Sequence, residues 1–199
     1  AALALVGGLA PKHRGHRALA DMVAQLDGMP LALTLLGAAA AREPDMSALE
    51  RRWQTERTRL LRRDDGQHRL TSLDVSVALS LSSPLLDDLA REVLAAVAWL
   101  PAGTSSEDLR LLWPEHGAAA CDSLREQALL RPAAHRLDLL NPVRESLRRQ
   151  LPLGDVAKAS LAVHYAELIA ASPVLGRPGG AQALARLLPE APNIEAALQ

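Results

Sequence analysis

Gly28-Met29-Pro30-Leu31-Ala32-Leu33-Thr34-Leu35-Leu36-Gly37 is the stretch where one helix closes and the next opens. Glycine takes the left-handed conformation that ends a helix without steric cost. Proline has its φ pre-set for the first helical position and lacks the N–H that would stay unpaired there. Gly28 therefore ends an amphipathic helix, and Pro30 begins an apolar one. From Leu31 to Ala41 only Thr34 is polar, so the second helix is expected to be buried on most sides. The stretch predicts a sharp corner between helices in an all-α core.

Composition agrees. The chain has 199 residues, enough for one large or two small domains, and is 49% hydrophobic with only 2% aromatic residues and no Phe. Its core must be Leu, Val and Ala, and that composition favours helix. The formal net charge is -1, so no global attraction to nucleic acid or an anionic membrane is expected. Only Lys12 and Lys158 are lysines, an arginine bias that suggests a GC-rich bacterial coding sequence. Cys121 is the single cysteine, which points to a reducing cytoplasm. No run approaches the roughly 18 apolar residues of a membrane span. The first residues lack a basic leader, and the chain starts without Met, so it reads as a piece of something longer.

Upstream of the corner, residues 1–15 read as a short apolar piece in which Leu3, Leu5 and Val6 cap the domain, then a loop, Pro11-Lys12-His13-Arg14-Gly15. His13 and His16 lack a third ligand nearby, so no metal site is expected. Residues 16–27 form the amphipathic helix, with Leu19, Met22, Val23 and Leu26 on one face. Downstream, Ser47-Ala48-Leu49-Glu50 has the pattern of a capping box. The helix it opens carries Leu49, Trp53, Leu60 and Leu61 as its apolar stripe. Arg51, Arg52, Arg57, Arg59, Arg62 and Arg63 lie on the other faces, with Arg52 set to pair with Glu56.

Residues 64–69 are polar and form the best domain boundary. Residues 73–81 fit both periods: Val75, Val77, Leu79 and Leu81 alternate as in a strand, while Leu73, Val77 and Leu81 repeat as in a helix. Ser83-Pro84 reads as a helix start, followed by a face of Leu85, Leu89, Val93, Ala96, Val97 and Leu100. A short helix capped by Thr104 or Ser105 runs to Trp113, and another spans residues 115–130 with Leu124, Ala128, Leu129 and Cys121 inward. Leu137 and Leu139 alternate with polar residues, as in a small β-hairpin over 131–139. Asn141-Pro142 then opens a helix to Gln150. After Pro152 and Gly154, Asp155 caps a helix bearing Val156, Leu161, Tyr165 and Leu168. A Pro/Gly loop over 173–180 and two short helices, 181–188 and 190–199, complete the chain.

Gly28-Met29-Pro30-Leu31-Ala32-Leu33 resembles the Gly-Leu-Pro-Leu-Ala signature of the NB-ARC family of signalling ATPases, the STAND-type regulators. Other segments follow in that family's order. Leu73-Asp74-Val75-Ser76-Val77-Ala78-Leu79-Ser80 resembles the opening of its winged-helix domain, Ala98-Trp99-Leu100-Pro101 the end of that domain's second helix, and Leu139-Leu140-Asn141-Pro142-Val143-Arg144-Glu145 its closing motif. Pro192-Asn193-Ile194-Glu195-Ala196-Ala197-Leu198 resembles the lead into tetratricopeptide-type repeats, although no period of about 34 residues is present. The resemblance leads us to read residues 73–81 as helix. It implies a mainly α fold in three parts: a helical domain over 1–66, a winged-helix domain with a small β-hairpin over 67–151, and a helical, repeat-like junction over 152–199.

The resemblance also implies a function. The segment would be a lid that senses the nucleotide state of an upstream core in a transcription-regulatory or signalling ATPase. ADP or ATP would belong to the full-length parent, with none held tightly by this segment. Its partners would be that core, the downstream repeats, and further copies of the parent on activation. Gly28, Pro30 and Thr34 are the cofactor-binding candidates, with Pro30 against adenine and Thr34 one turn on. Thr34 can equally bond its own helix backbone. The family's closing histidine, which touches the diphosphate, is replaced by Leu140, and leucine donates no hydrogen bond.

The sequence holds no G-x-x-x-x-G-K-[ST] phosphate loop, no G-x-S-x-G elbow, no H-E-x-x-H and no cysteine cluster. No catalytic or metal-binding residue is therefore assigned, and the segment is not expected to be an enzyme. The alternative function is a helical or winged-helix module that binds protein or DNA and has no nucleotide role. The helix that would enter the major groove, residues 115–130, carries Glu115, Asp122 and Glu126 against Arg125, a net charge of about -2. Phosphate attraction dominates DNA affinity, so DNA binding is not expected of it. Arg144, Arg148 and Arg149 on the next helix are the candidate contacts for an acidic partner or a phosphate.

Overall fold

At the corner, Asp27 and Gly28 are both left-handed, with φ of +51° and +68°. The computed structural model describes residues 1–63, 72–114, 117–133, 136–174 and 176–199. Residues 1–15 are more ordered in type than their sequence suggests. They form helix α1 (Ala2–Leu9) and a 3-10 turn (Pro11–His13), with Val6 buried but Leu3 and Leu5 exposed. Helix α2 (Arg17–Ala24) is capped by His16, whose Nδ1 accepts from the Ala18 N–H, and it stops at Ala24 with Gln25 as its C-cap, so Gly28 closes the turn that follows and not the helix itself. Helix α3 (Pro30–Arg42) starts at Pro30 and buries Ala32, Leu33, Leu35, Leu36, Gly37 and Ala40.

Helix α4 (Met46–Arg63) begins one residue before the expected cap. Asp45, not Ser47, takes the capping role, its carboxylate accepting from the Ser47 N–H at 3.0 Å. Two other expectations for this helix fail. Leu61 is exposed, whereas Glu56 is buried and paired with Arg59 at 2.7 Å. Arg52 pairs with Glu43 in the preceding turn instead of Glu56. A tertiary partner displaces the i,i+4 pair because such pairs contribute only about 0.2–0.5 kcal/mol. The expected boundary at 64–69 lies outside the described residues.

The ambiguous stretch is helix α5 (Ser72–Leu81), in which every residue from Leu73 to Ser80 is buried. Val75, Ala78 and Leu79 enter the core made with α1–α4, together with Trp53, Met22 and Leu26. Leu73 and Val77 enter a second core, shared with Leu35 of α3 and the helices and strands that follow. A helix buried all round carries no polar face, which is why its period could not be read. Ser76 and Ser80 are satisfied within the helix, donating to the carbonyls of Ser72 (3.0 Å) and Ser76 (3.1 Å).

Ser83-Pro84 does not start the next helix. Ser83 Oγ accepts from the Leu85 N–H in a turn, and helix α6 (Asp88–Trp99) is capped by Asp87 through the Ala90 N–H at 2.7 Å. Leu85 is accordingly exposed. Strand β1 (Thr104–Ser105) follows, then helix α7 (Ser106–Leu112), capped by Ser105. Helix α8 (Gly117–Glu126) is shorter than expected: Ala128 is left-handed at φ +57°, so the chain turns before Leu130. The expected hairpin is β2 (Arg131–Ala133) with β3 (Arg136–Asp138), and β1 joins it in the antiparallel order β1-β3-β2. Two residues are too few for β1 to show alternation. Gly103 permits its approach, since a Cβ there would lie 2.2 Å from the Leu137 carbonyl oxygen.

Helix α9 (Asn141–Gln150) has Leu140 at its cap position, one residue before the Asn141 expected there. Helix α10 (Asp155–Ala170) is capped by Gly154, leaving Val156 in the first turn and exposed. Helices α11 (Gly180–Leu187) and α12 (Ala191–Leu198) close the chain. Leu161, Tyr165 and Leu168 of α10 pack on Ala95, Ala96 and Leu100. A buried polar network completes that junction. Glu190 accepts from Arg136, from Tyr165 Oη at 3.3 Å and from Asn193 Nδ2 at 2.8 Å. Asn193 also holds both the Ala102 N–H and the Gly103 carbonyl. Beside it, Asp108 accepts from Ser105 Oγ at 2.6 Å and meets His164 Nε2 at 3.2 Å. Among the described residues no helix is long and apolar enough to cross a membrane.

Two measurements check this fold. Arg144 is buried and donates to the carbonyls of Val97 and Leu100 and to Asp138, closing the end of α6. Arg144→Ala should destabilise the chain by about 3 kcal/mol in urea unfolding, because the buried Val97 carbonyl is left without a donor and Leu100 and Asp138 keep only the Gly103 and Leu139 N–H groups. Burial pushes the Asp108 carboxyl up, but hydrogen bonds from His164 and Ser105 outweigh it and leave it below its ordinary value of 3.8. A depressed carboxyl stabilises the fold fully above that value and loses its contribution as pH falls through the folded pKa. Asp108→Asn should therefore flatten the loss of thermal stability below about pH 4.

Candidate functional site

The corner puts the three candidate residues in different settings. Gly28 is exposed, with nothing within 4 Å of where a Cβ would stand. Pro30 is exposed at the first turn of α3, and neighbouring Met29 is 38% exposed. Thr34 is half-buried one turn on, and its hydroxyl donates to the Pro30 carbonyl at 2.9 Å. That bond is the local one open to any helical threonine. The hydroxyl proton is thus committed to the helix, and only the oxygen lone pairs remain for another group. Gly28 and Pro30 share one open edge of the corner.

Behind that edge lies a small cavity of about 150 Å³ whose lining includes Gln25, Asp27, Trp53, Arg57 and Ser72. Ser72 Oγ donates to Asp27 Oδ2 at 3.1 Å, and the Arg57 guanidinium donates to Gln25 Oε1. Among the described residues the indole N–H of Trp53 has no acceptor, although the residue is 1% exposed. These groups come from the end of α2, the middle of α4 and the start of α5. No spacing in the sequence links them; Trp53 was legible only as a core residue, and Asp27 only as the neighbour of a turn glycine.

The arginines of α9 bond partly within the chain. Arg144 bonds as described above, and Arg148 donates to the carbonyls of Ala98 (2.7 Å) and Trp99 (3.0 Å). Arg149 pairs with Asp74 at 2.7 Å. Burial lowers the Arg144 pKa, with Asp138 opposing that effect. Arg144 is spent inside the chain, closing α6, whereas Arg148 and Arg149 are exposed and give only part of their guanidinium donors to α6 and α5. Leu140 is half-buried against the second core. On α8, Asp122 pairs with Arg125 at 2.9 Å and Glu126 with Arg42 at 3.3 Å; Glu115 lies outside the described residues.

His13 and His16 have separate duties, His13 donating to the Glu43 carbonyl and His16 capping α2. Cys121 is buried, and burial raises its thiol pKa, as befits a small core residue. Among the described residues no three His, Cys, Asp or Glu side chains stand together as a metal site. Compared with known proteins, the chain matches no family model, no curated protein and no solved structure.

The open space around Gly28 isolates the backbone effect. Gly28→Ala should cost about 1 kcal/mol in urea unfolding, the strain of a left-handed alanine, and Gly28→Asn should cost less.

Proposed function

We propose that this chain is a regulatory segment of a bacterial NB-ARC-like, STAND-type signalling ATPase. Its helices would act as a lid over ADP or ATP held by an upstream core. A change of nucleotide would move the lid and free downstream repeats or an effector, a hinged two-state device. The observation that carries the reading is the corner. Gly28, Met29 and Pro30 of the stretch that resembles the family's signature stand exposed at the start of α3, while Ala32 and Leu33 anchor it in the core.

Two further features support it. Helix α3 packs along α5, and α5 belongs to both the first and second cores, so a push at Pro30 has a rigid route into the sheet-bearing unit. That unit runs helix, strand, two helices, strand, strand, with sheet order β1-β3-β2, the order expected of a winged-helix domain. The competing reading, a DNA- or protein-binding module with no nucleotide role, loses Arg144 from the cationic helix on which it relied. Arg144 is buried and bonded within the chain, and Arg148 and Arg149 each give part of their donors to α6 and α5.

The test uses the natural full-length protein that carries this segment. It should bind ADP, and Pro30→Ala should weaken that binding about tenfold, ~1.4 kcal/mol, while the 199-residue chain alone turns over no ATP. ATP hydrolysis by the isolated chain, or an ADP affinity indifferent to Pro30→Ala, would overturn the proposal.

A further inference from the structure

A second feature lies away from the corner, on the far end of the first core. Helices α1 and α2 form the walls of a groove of about 490 Å³, lined by Leu3, Ala4 and Gly7 from one side and Leu19 and Ala20 from the other, with Arg14 between. This volume falls within the roughly 300–1,000 Å³ of ordinary binding pockets. The lining is mostly apolar, and Leu3, at 55% exposed, stands open at its wall. Leu5 and Leu9, 42% and 41% exposed, make α1 apolar beyond the side it buries on α3.

The segment that builds the groove is mostly cationic, with Asp21 its first carboxylate. The first twenty residues contain Lys12, Arg14 and Arg17 and no acidic residue, against a net charge of -1 for the whole chain. Arg17 is 95% exposed and meets Asp21 only at 3.9 Å. Arg14 is held in place: its Nε donates to the Gly7 carbonyl at 3.3 Å, and its Cγ lies 3.4 Å from where a Gly7 Cβ would be. The stem of Arg14 thus lies across α1 at a residue with no side chain. Among the described residues its two terminal nitrogens have no acceptor.

We propose that this groove docks an acidic amphipathic helix of a partner protein, with its apolar stripe between α1 and α2 and its carboxylates on Arg14 and Arg17. A concave apolar trough between two helices accepts the ridge of a third, as in other helix-in-groove complexes. A bilayer surface is flat on this scale and cannot fill it. The cationic rim selects the sign of the partner and speeds its approach. Because Val6 and Ala10 of α1 share the first core with α3, an occupant bears on the helix that starts at Pro30. The inference does not depend on a nucleotide role for that helix.

The experiment uses the 199-residue chain and a fluorescein-labelled helical peptide of about 18 residues, with leucine at i, i+3, i+4 and i+7 and glutamate on its other faces. Fluorescence anisotropy should show saturable binding that weakens with salt, and a counterpart with lysine for glutamate should bind at least about tenfold more weakly. Arg14→Glu and Arg17→Glu should each reduce affinity several-fold. Ala4→Glu, at an exposed groove position, should abolish binding, with circular dichroism confirming that each variant is folded. The proposal is overturned if the glutamate peptide fails to bind, if the lysine peptide binds equally, or if these variants change nothing. It is equally overturned if vesicles of phosphatidylserine and phosphatidylcholine capture the chain while the peptide does not, which would make the face a membrane contact. Dimerisation through this groove in sedimentation, lost in Ala4→Glu, with no peptide binding, would make it a self-association surface instead.

Discussion

Asp74 is a carboxylate inside a helix with no exposed face, and its bonds connect the two halves of the chain. Its side chain accepts from Ser146 at 2.6 Å and Arg149 at 2.7 Å, and its carbonyl accepts from Gln150 at 3.1 Å. A buried carboxylate is tolerated only when it is hydrogen-bonded and paired. Those partners all lie on α9, so α5 and α9 have a single relative placement. The apolar residues of α5 then divide between two cores, each fully buried Leu or Val contributing about 1.5–3 kcal/mol. The first core carries the Pro30 corner and the second carries the sheet.

The same logic recurs at the other end of the second unit. Arg144 and Arg148 close the last carbonyls of α6, so that helix can end buried without unpaired acceptors. Asn193 and Glu190 then fasten α12 to the loop before β1 through Ala102, Gly103 and Arg136. Burial, then the neighbouring carboxylates, raises the Tyr165 pKa, so its hydroxyl stays a donor to Glu190 across the ordinary pH range. Polar groups therefore specify how the three cores meet, while Leu, Val and Ala fill them. This division suits a chain with almost no aromatic residues.

The candidate site was only half legible in the sequence. Gly28 and Pro30 were readable because backbone conformation is a local property, and glycine and proline announce it. The cluster of Gln25, Asp27, Trp53, Arg57 and Ser72 was not, because its members come from three helices and no spacing relates them. Arg144 looked available because a run of cations on a short helix says nothing about which carbonyls it will meet. The groove of α1 and α2 was hidden for a similar reason. Residues 1–15 read as an apolar piece and a loop, and only the packing of α1 beside α2 makes a trough of them.

By itself, the sequence determined what local chemistry determines: the mainly helical class, the corner at Gly28, the start of α3 at Pro30, the hairpin of β2 and β3, and the core positions of the amphipathic helices. Stops and starts failed where two signals competed, as at Ser83-Pro84, where Asp87 offers the stronger cap, and at Ser47, where Asp45 stands two residues earlier. The period of α5 was ambiguous and its helical state was expected only by resemblance; tertiary structure alone decided the addition of β1 to the sheet and the partners of Arg52, Arg144 and Asp74. The physical reason is range. A helix cap or a left-handed glycine is settled within four residues, whereas a buried charge is settled by whichever partner the packed chain brings within about 3 Å.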